Sequence, residues 1–291
     1  MSSINCFFQN KGKAVNIAID LAKVAAKIFD RLPKVVLGDT QIFDLPEYIP
    51  PTHGFDICSK EAALYYTFSV AIDYQTRANF FWKRLREAYV RTMIREDPKV
   101  PKGLFYPEVI LNYENRPEEL ADIIKRLIRP RSHMNAAKIW LDIASSLQSY
   151  YNSDPRNITP VKRKVNEVFF EIKKFRELGG IKIGSLYIRI MWSLGLFKIS
   201  DPENIPVAVD RHVCRFTYLE VCGSQPREGI CDRNNTKVNI AKFWTEVSRE
   251  AEKINEPWLK FPYYDCEERK WKYTNGVIPG YLDEGMWSSK K

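Results

Sequence analysis

Leu178-Gly-Gly-Ile-Lys-Ile-Gly-Ser185 lies between two segments whose apolar residues recur at helical spacing. Glycines in so short a connection permit positive φ and let another backbone or a ligand approach closely. The amides at the start of the second helix have no acceptor within that helix, and the positive end of the helix dipole lies there. Two helices joined in this way form an anion site, and a nucleic-acid phosphate fits it.

Length and composition limit the classes of protein to consider. The chain has 291 residues, of which 45% are apolar, as in packed globular proteins of about two domains. Lys and Arg number 45 against 36 Asp and Glu, and the resulting net charge of +9 favours an acidic partner. No segment reaches the ~18 apolar residues of a membrane-spanning helix. Because the amino terminus lacks the features of a secretory signal, we expect a cytoplasmic protein without membrane contact.

Helical periodicity dominates the chain, and no repeated run of alternating or β-branched residues separates the helical segments. The sequence therefore predicts an all-α protein. Helices are predicted at Lys11–Leu32, Lys60–Asp73, Arg77–Glu96, Tyr106–Tyr113, Pro117–Ile128, Asn135–Tyr151, Thr159–Leu178, Gly184–Leu196 and Asp210–Cys222. Residues 256–291 are rich in aromatic side chains without clear periodicity. We expect an irregular tail there, whose aromatic rings either dock on the helices or stack on bases.

A second stretch, Val207-Ala-Val-Asp-Arg-His-Val-Cys-Arg215, follows the hairpin. Together the two resemble the helix-hairpin-helix superfamily of DNA glycosylases, which includes endonuclease III-like and archaeal 8-oxoguanine glycosylases. The family hairpin reads Leu-Pro-Gly-Val-Gly-x-Lys, and its later motif reads Pro-Val-Asp-x-His-Val-x-Arg. The hairpin is matched at Leu178, Gly180 and Ile181, and the later motif at Pro206, Val209, Asp210, His212, Val213 and Arg215.

Two upstream stretches add to the resemblance. Ala71-Ile-Asp-Tyr-Gln-Thr-Arg77 is similar to the family's Ser-x-Gln-x-Thr, whose glutamine enters the gap left by an extruded base. The resemblance implies this role for Gln75. Ser132-His-Met-Asn-Ala-Ala-Lys138 is similar to the Asn-x-Lys-Ala segment that begins a core helix of the family. In all, the resemblance extends over residues 60–220.

The resemblance implies a fold and an activity. The fold is two-lobed and helical, with a six-helix core over residues 60–200 that carries the helix-hairpin-helix and a second lobe from residues 1–59 and 201–291. The activity is that of a monomeric, nucleoid-associated DNA repair N-glycosylase, which flips a damaged base out of double-stranded DNA and excises it. Two alternatives remain open. One is a non-catalytic helix-hairpin-helix nucleic-acid-binding protein, and the other is an N-glycosidase acting on a modified nucleoside or RNA.

Asp210 and Lys182 are the candidate catalytic residues. Breaking a base–sugar bond develops positive charge on the sugar, and a carboxylate beside it stabilises that charge. An aspartate directly before a helix is also a common N-cap. Bifunctional relatives attack the sugar with a lysine at the position of Gly184, and a two-residue shift of register would give that role, with its AP lyase activity, to Lys182. Alternatively, Lys182 is a phosphate contact.

Other residues are candidates for contact with DNA. The resemblance and the anion site imply contacts from Gln75, Lys138, Gly179, Gly180, Gly184, Ser185, His212 and Arg215. Two basic clusters either follow a phosphate backbone or form solvated helix faces. They are Lys162-Arg163-Lys164, and Lys125, Arg126, Arg129 and Arg131. Several aromatic residues either hold an extruded base or pack in the core. They are Tyr74, Phe80, Trp82, Trp140 and Trp192.

The six cysteines contain no Cys-x-x-Cys pair, and the family's iron–sulfur loop is absent. With only three histidines and no paired spacing, we expect no metal and no cofactor. Cytoplasmic thiols should be mostly reduced. However, the chain has only five glutamines but many charged residues, a composition that is typical of heat-adapted proteins. Intracellular disulfides occur in such proteins. Cys222 and Cys231 are either bridged for that reason or two unpaired buried thiols.

Overall fold

The computed structural model describes residues 3–29, 45–52, 54–73, 78–94, 98–254, 260–275 and 278–288. These residues are mostly helical, as predicted. The helices are α1 (Ser3–Gln9), α2 (Lys11–Phe29), α3 (Lys60–Ala71), α4 (Ala78–Tyr89), α5 (Pro107–Leu111), α6 (Pro117–Leu127), α7 (His133–Tyr151), α8 (Val165–Ile172), α9 (Ile181–Ser193), α10 (Arg211–Cys222), α11 (Asn234–Glu252) and α12 (Leu282–Ser288). A π-helical turn, Val90–Ile94, continues α4.

The helix predicted at Thr159–Leu178 is much shorter in the structure, where only Val165–Ile172 is helical. Pro160 has no amide hydrogen and cannot donate within a helix. The amide of Arg163 donates to the carbonyl oxygen of Lys198 (3.0 Å), so this segment pairs with the chain after α9. Residues that are extended for such pairing cannot also form helical hydrogen bonds.

Helix α11 was not predicted, although its apolar residues recur at helical spacing in the sequence. The buried side chains of α11 recur at three- and four-residue steps, and they include Ile240, Ala241, Trp244, Val247 and Ala251. This is the period on which the other helices were predicted. The same criterion would have found α11.

The carboxy-terminal region is not irregular where the structure describes it. Strands β1 (Lys260–Asp265) and β2 (Lys270–Asn275) form an antiparallel hairpin, and α12 follows. Tyr263 lies opposite Lys272, and Tyr264 lies opposite Trp271. The prediction of an irregular tail is therefore wrong for these residues, because aromatic cross-strand pairs stabilise a hairpin that helical periodicity does not reveal.

Helix α9 lies at the centre of the core and is buried from Ile183 to its end. It packs against α3 and contacts α11. The hydroxyl groups of Tyr187 and Thr67 are hydrogen-bonded at 2.9 Å. The Trp192 ring stacks on Tyr263 of β1, with ring centroids 5.4 Å apart. The hairpin sequence is therefore anchored on a helix that is buried over most of its length.

The amino- and carboxy-terminal helices pack together. Helix α2 contacts both α11 and α12. A Cβ at Gly285 of α12 would lie 2.5 Å from the carbonyl oxygen of Leu21, so only glycine permits this approach. The buried apolar residues from α1 to α12 form one contiguous cluster. The division into two lobes stays a prediction.

All six cysteines are paired in disulfides. The pairs are Cys6–Cys222, Cys58–Cys266 and Cys214–Cys231. The expectation of reduced thiols is therefore wrong for this structure, and so is a bridge between Cys222 and Cys231. Two of the pairs join residues 208 and 216 positions apart, and only the tertiary fold brings such residues together.

Across the described residues, every helix is too short or too polar to cross a membrane. The same residues contain no group of three or more His, Cys, Asp or Glu side chains that could hold a metal ion.

Candidate active site

The glycine-rich stretch forms the turn between α8 and α9. Gly180 is the N-cap of α9, and it has no side chain to occupy the amides of the first helical turn. A Cβ at Gly179 would lie 2.8 Å from Cα of Lys173, and one at Gly184 would lie 2.4 Å from the carbonyl oxygen of Leu178. Glycine is thus required at Gly179 for the turn to lie this close to the end of α8, and at Gly184 for α9 to lie this close to the turn.

Lys182 lies in the first turn of α9 and is half-buried. Its Nζ atom donates a hydrogen bond to the backbone carbonyl of Asp73 (3.2 Å), just beyond the end of α3. The indole N–H of Trp82 donates to the carboxylate of Asp73 (3.3 Å). Burial raises the pKa of Asp73, Lys182 and the Trp82 N–H oppose that rise, and Asp210 adds to it.

Asp210 is the N-cap of α10, and its Oδ1 atom accepts a hydrogen bond from the amide of Val213 (2.8 Å). The extended segment before it is anchored by the buried side chains of Val207 and Val209. The capping role weighed from the sequence is therefore present. Since the cap uses one of two carboxylate oxygens, it does not prevent a second role for Asp210.

Four ionisable side chains interact electrostatically in this region, and we call Asp73, Lys182, Asp210 and Asp283 the Asp210 cluster. Lys182 and Asp210 both act on the pKa of Asp73. Burial raises the pKa of Asp283 to about 8, Arg189 opposes the rise, and Glu284 and Asp210 add to it. The two predicted catalytic residues thus share a neighbour, although they lie on different helices.

Neither Asp73 nor Asp283 is predicted as a site residue from the sequence. Asp73 lies two residues before Gln75, inside the stretch whose predicted role belongs to Gln75. Asp283 lies in a region without a motif. Only the packing of α12 against α10 brings it near Asp210.

Helix α12 covers the amino-terminal end of α10. The Nε2 atom of His212 is hydrogen-bonded to the carbonyl oxygen of Met286 (3.1 Å). The His212 ring also lies on Trp287, with ring centroids 4.2 Å apart. Trp287 is nevertheless 52% exposed, so an aromatic surface faces solvent beside the first turn of α10.

A buried charge cluster fixes α12 in this position. Arg189 of α9 is 1% exposed and donates to Asp283 (2.6 Å), to Glu284 (2.7 Å) and to the carbonyl oxygen of Gly280 (2.9 Å). Glu47 is the third carboxylate around the same guanidinium, at 3.4 Å. Burial raises the pKa of Glu47 to about 8, and Glu284 adds to the rise.

The other predicted DNA contacts are placed differently. Gln75 lies outside the described residues. Lys138 on α7 and Arg215 on α10 are exposed. Gly184 and Ser185 are buried, and the Ser185 hydroxyl has no hydrogen-bond partner among the described residues, so neither offers an atom to solvent here.

Most of the candidate aromatic residues belong to the core. Trp140 is fully buried and donates to the carbonyl oxygen of Phe68 (2.9 Å), while Trp192 packs on the β hairpin. Trp82 is buried but reaches the Asp210 cluster through its bond to Asp73. Phe80 is 60% exposed. Tyr74 lies outside the described residues.

A groove of about 510 Å³ runs beside the glycine-rich turn. One wall is the turn itself, Gly179–Ile181, and the other is α11. Its lining includes the cations Lys173, Lys242 and Arg249 and one acid, Glu246. The first-turn amides of α9 and these cations form a positively charged edge.

The chain was compared with models of known protein families and with curated proteins, and neither comparison found a match.

Proposed function

We propose that this protein is a DNA N-glycosylase that extrudes a damaged base from double-stranded DNA and cleaves its bond to the sugar. The observation that carries the proposal is that Lys182 and Asp210, chosen by their motifs, both act on Asp73. Lys182 donates to its backbone carbonyl (3.2 Å), and the charge of Asp210 raises the pKa of its carboxyl group. The amides at the start of α9 and the cations beside them support binding of a phosphate backbone.

In the proposed reaction, the bond between sugar C1′ and the base nitrogen breaks, and its electron pair leaves with the base. Positive charge develops on the sugar, and the Asp210 carboxylate stabilises it. In the hydrolytic branch, a water bonds to C1′ and gives one proton to Asp210; in the lyase branch, the neutral amine of Lys182 bonds to C1′ and then releases a proton. The departing base nitrogen takes up that proton in either case. Attack by Lys182 would continue to a Schiff base and strand cleavage.

The extruded base needs an apolar surface on which to stack. We infer that Trp287 supplies it, because its ring is exposed and held by His212 beside Asp210. Base–aromatic stacking contributes about 1–3 kcal/mol per base.

The test is incubation with labelled duplexes that carry uracil, hypoxanthine, 8-oxoguanine or an abasic site, with and without borohydride. Asp210→Asn is the first variant, since asparagine is as good an N-cap as aspartate and α10 should remain intact. Lys182→Ala removes the amine. Lys182→Arg is its matched control, because it keeps the charge for a phosphate contact but cannot form a Schiff base.

We expect base release by the unsubstituted protein and its loss in Asp210→Asn, by a factor of at least ~10². A borohydride adduct that is lost in both Lys182 variants identifies the amine as the nucleophile, whereas release without an adduct identifies water. Binding of duplexes without release from any of them would instead favour a non-catalytic helix-hairpin-helix protein.

A further inference from the structure

A second basic groove lies at the junction of α6 and α7, at the cluster noted in the sequence. It encloses about 680 Å³. Lys125, Arg126 and Arg129 line it from the end of α6, and His133 lines it from the start of α7. These three cations therefore share one concave surface with the imidazole of His133.

These cations are not neutralised by acids. Among the described residues, none of Lys125, Arg126 and Arg129 forms an ion pair with a carboxylate, although Asp122 also lines the groove. The other basic cluster differs, because Arg163 there pairs with Glu171 at 3.2 Å. Like charges that are held together without counter-charges destabilise the fold unless a ligand neutralises them.

The backbone at Arg129 is also unfavourable. Its φ is 55°, in the left-handed region where glycine is the usual residue after the end of a helix. Pro130 follows, and a residue before proline prefers extended backbone. The amide of Arg129 donates to the carbonyl oxygen of Ile124 (3.2 Å), and this hydrogen bond closes α6. The same bond would form if glycine replaced Arg129. Arginine at this position is costly for the fold, so its side chain is the reason to expect a function.

We propose that this groove binds the phosphodiester backbone of duplex DNA, as a second contact besides the hairpin. Two guanidinium groups, an ammonium and an imidazole match phosphate oxygens, and arginine can bind them through two parallel hydrogen bonds. A basic, concave and solvent-exposed surface with unpaired cations binds a continuous polyanion better than it packs against protein. The inference rests on the proposed function, since DNA is the polyanion which that function requires.

The test is the binding of a labelled duplex with an abasic-site analogue at several salt concentrations. Arg129→Gly and Arg126→Gln each remove one groove cation. Lys253→Gln is the matched control, because it removes an exposed charge that Glu250 already neutralises (3.2 Å). Thermal unfolding of each variant is measured alongside, and Arg129→Gly should not lower the unfolding midpoint, since glycine suits the backbone there.

We expect each groove variant to bind about five- to tenfold more weakly at ~100 mM salt and to lose about one unit of the slope of log K against log salt. Lys253→Gln should stay within about twofold of the unsubstituted protein. If the unsubstituted protein binds DNA and the groove variants behave as Lys253→Gln does, the groove proposal is overturned and the proposed function stands. If the unsubstituted protein binds no duplex at all, the proposed function is overturned and the groove proposal with it.

Discussion

Gly184 marks the main departure from the glycosylase motif that the sequence resembles, because glycosylases with lyase activity carry a lysine at the corresponding position. A side chain there would meet the carbonyl oxygen of Leu178 at 2.4 Å, which is a backbone atom that cannot rotate away. The residue is buried within α9. A lysine is therefore excluded at Gly184, whereas Lys182, half a turn earlier, already reaches Asp73. This contrast favours the shifted register for the amine.

Gly184→Ala should destabilise the protein by about 1–3 kcal/mol, because the added methyl group forces α9 away from the turn. Gly12→Ala is the matched control, since Gly12 is in α2 with nothing within 4 Å of an added Cβ. Alanine there should stabilise the helix by about 0.5–1 kcal/mol. Urea unfolding measures both changes. Equal stability of Gly184→Ala and the unsubstituted protein would contradict the close approach.

Among the elements, α10 is the one on which the candidate site depends most. Asp210 caps its first turn, and Gly223 ends it in the left-handed conformation that glycine favours. Cys214 at the end of its first turn is bonded to Cys231, and Cys222 at its end is bonded to Cys6 of α1. Both ends of the helix are thus covalently fixed to neighbouring segments.

Replacing Cys214 and Cys231 together by serine should lower the free energy of unfolding by about 2–4 kcal/mol, because a bridge closing a loop of this size restricts the unfolded chain. Paired replacement avoids leaving a reactive thiol. Guanidinium unfolding under non-reducing conditions measures the loss. Thiol titration of the denatured protein provides the independent check, with no reactive thiol expected before reductant is added. Six reactive thiols at that stage would show that the bridges do not form in the purified protein.

At the scale of the whole molecule, Arg189 joins segments that are far apart in sequence. Its guanidinium contacts Glu47 near the beginning of the chain and Asp283 and Glu284 near its end. Three carboxylates surround one cation, so the site holds excess negative charge when all are ionised. Burial makes that charge costly, which is why the pKa values of Glu47 and Asp283 rise to about 8.

These raised pKa values predict how stability depends on pH. In the unfolded chain both carboxyl groups titrate near ~4. Between pH ~4 and ~8 the folded protein therefore holds protons that the unfolded chain has released. The contribution of these two carboxyl groups to the free energy of unfolding is greatest below pH ~4. It falls as the pH rises from there to about 8.

The combined variant Glu47→Gln and Asp283→Asn removes both titrating groups while keeping acceptors for Arg189. We expect the variant to lose less stability than the unsubstituted protein between about pH 5 and pH 8. The difference between the two losses should be at least about 1.4 kcal/mol, the free energy that corresponds to one unit of pKa. Urea unfolding at both pH values gives the difference. Parallel stability curves for the two proteins would contradict the raised pKa values.

The sequence by itself determined the helical class and most helix positions, because an amphipathic helix records its buried face in three- and four-residue steps. It also predicted that Lys182 and Asp210 lie at helix starts, which the structure confirms, because each belongs to a short motif with local geometry. Their catalytic role stays a prediction. The β hairpin was missed, because its strands are stabilised by cross-strand and inter-element contacts rather than by local periodicity.

Only the tertiary structure decided what surrounds those two residues. Asp73 and Asp283 were not predicted as site residues, and they lie near Lys182 and Asp210 because α3 packs against α9 and α12 packs against α10. The disulfide partners were beyond sequence reasoning for the same reason, since six cysteines allow fifteen pairings and spacing does not select among them. Local patterns fix elements, whereas contacts between residues distant in the chain fix the site.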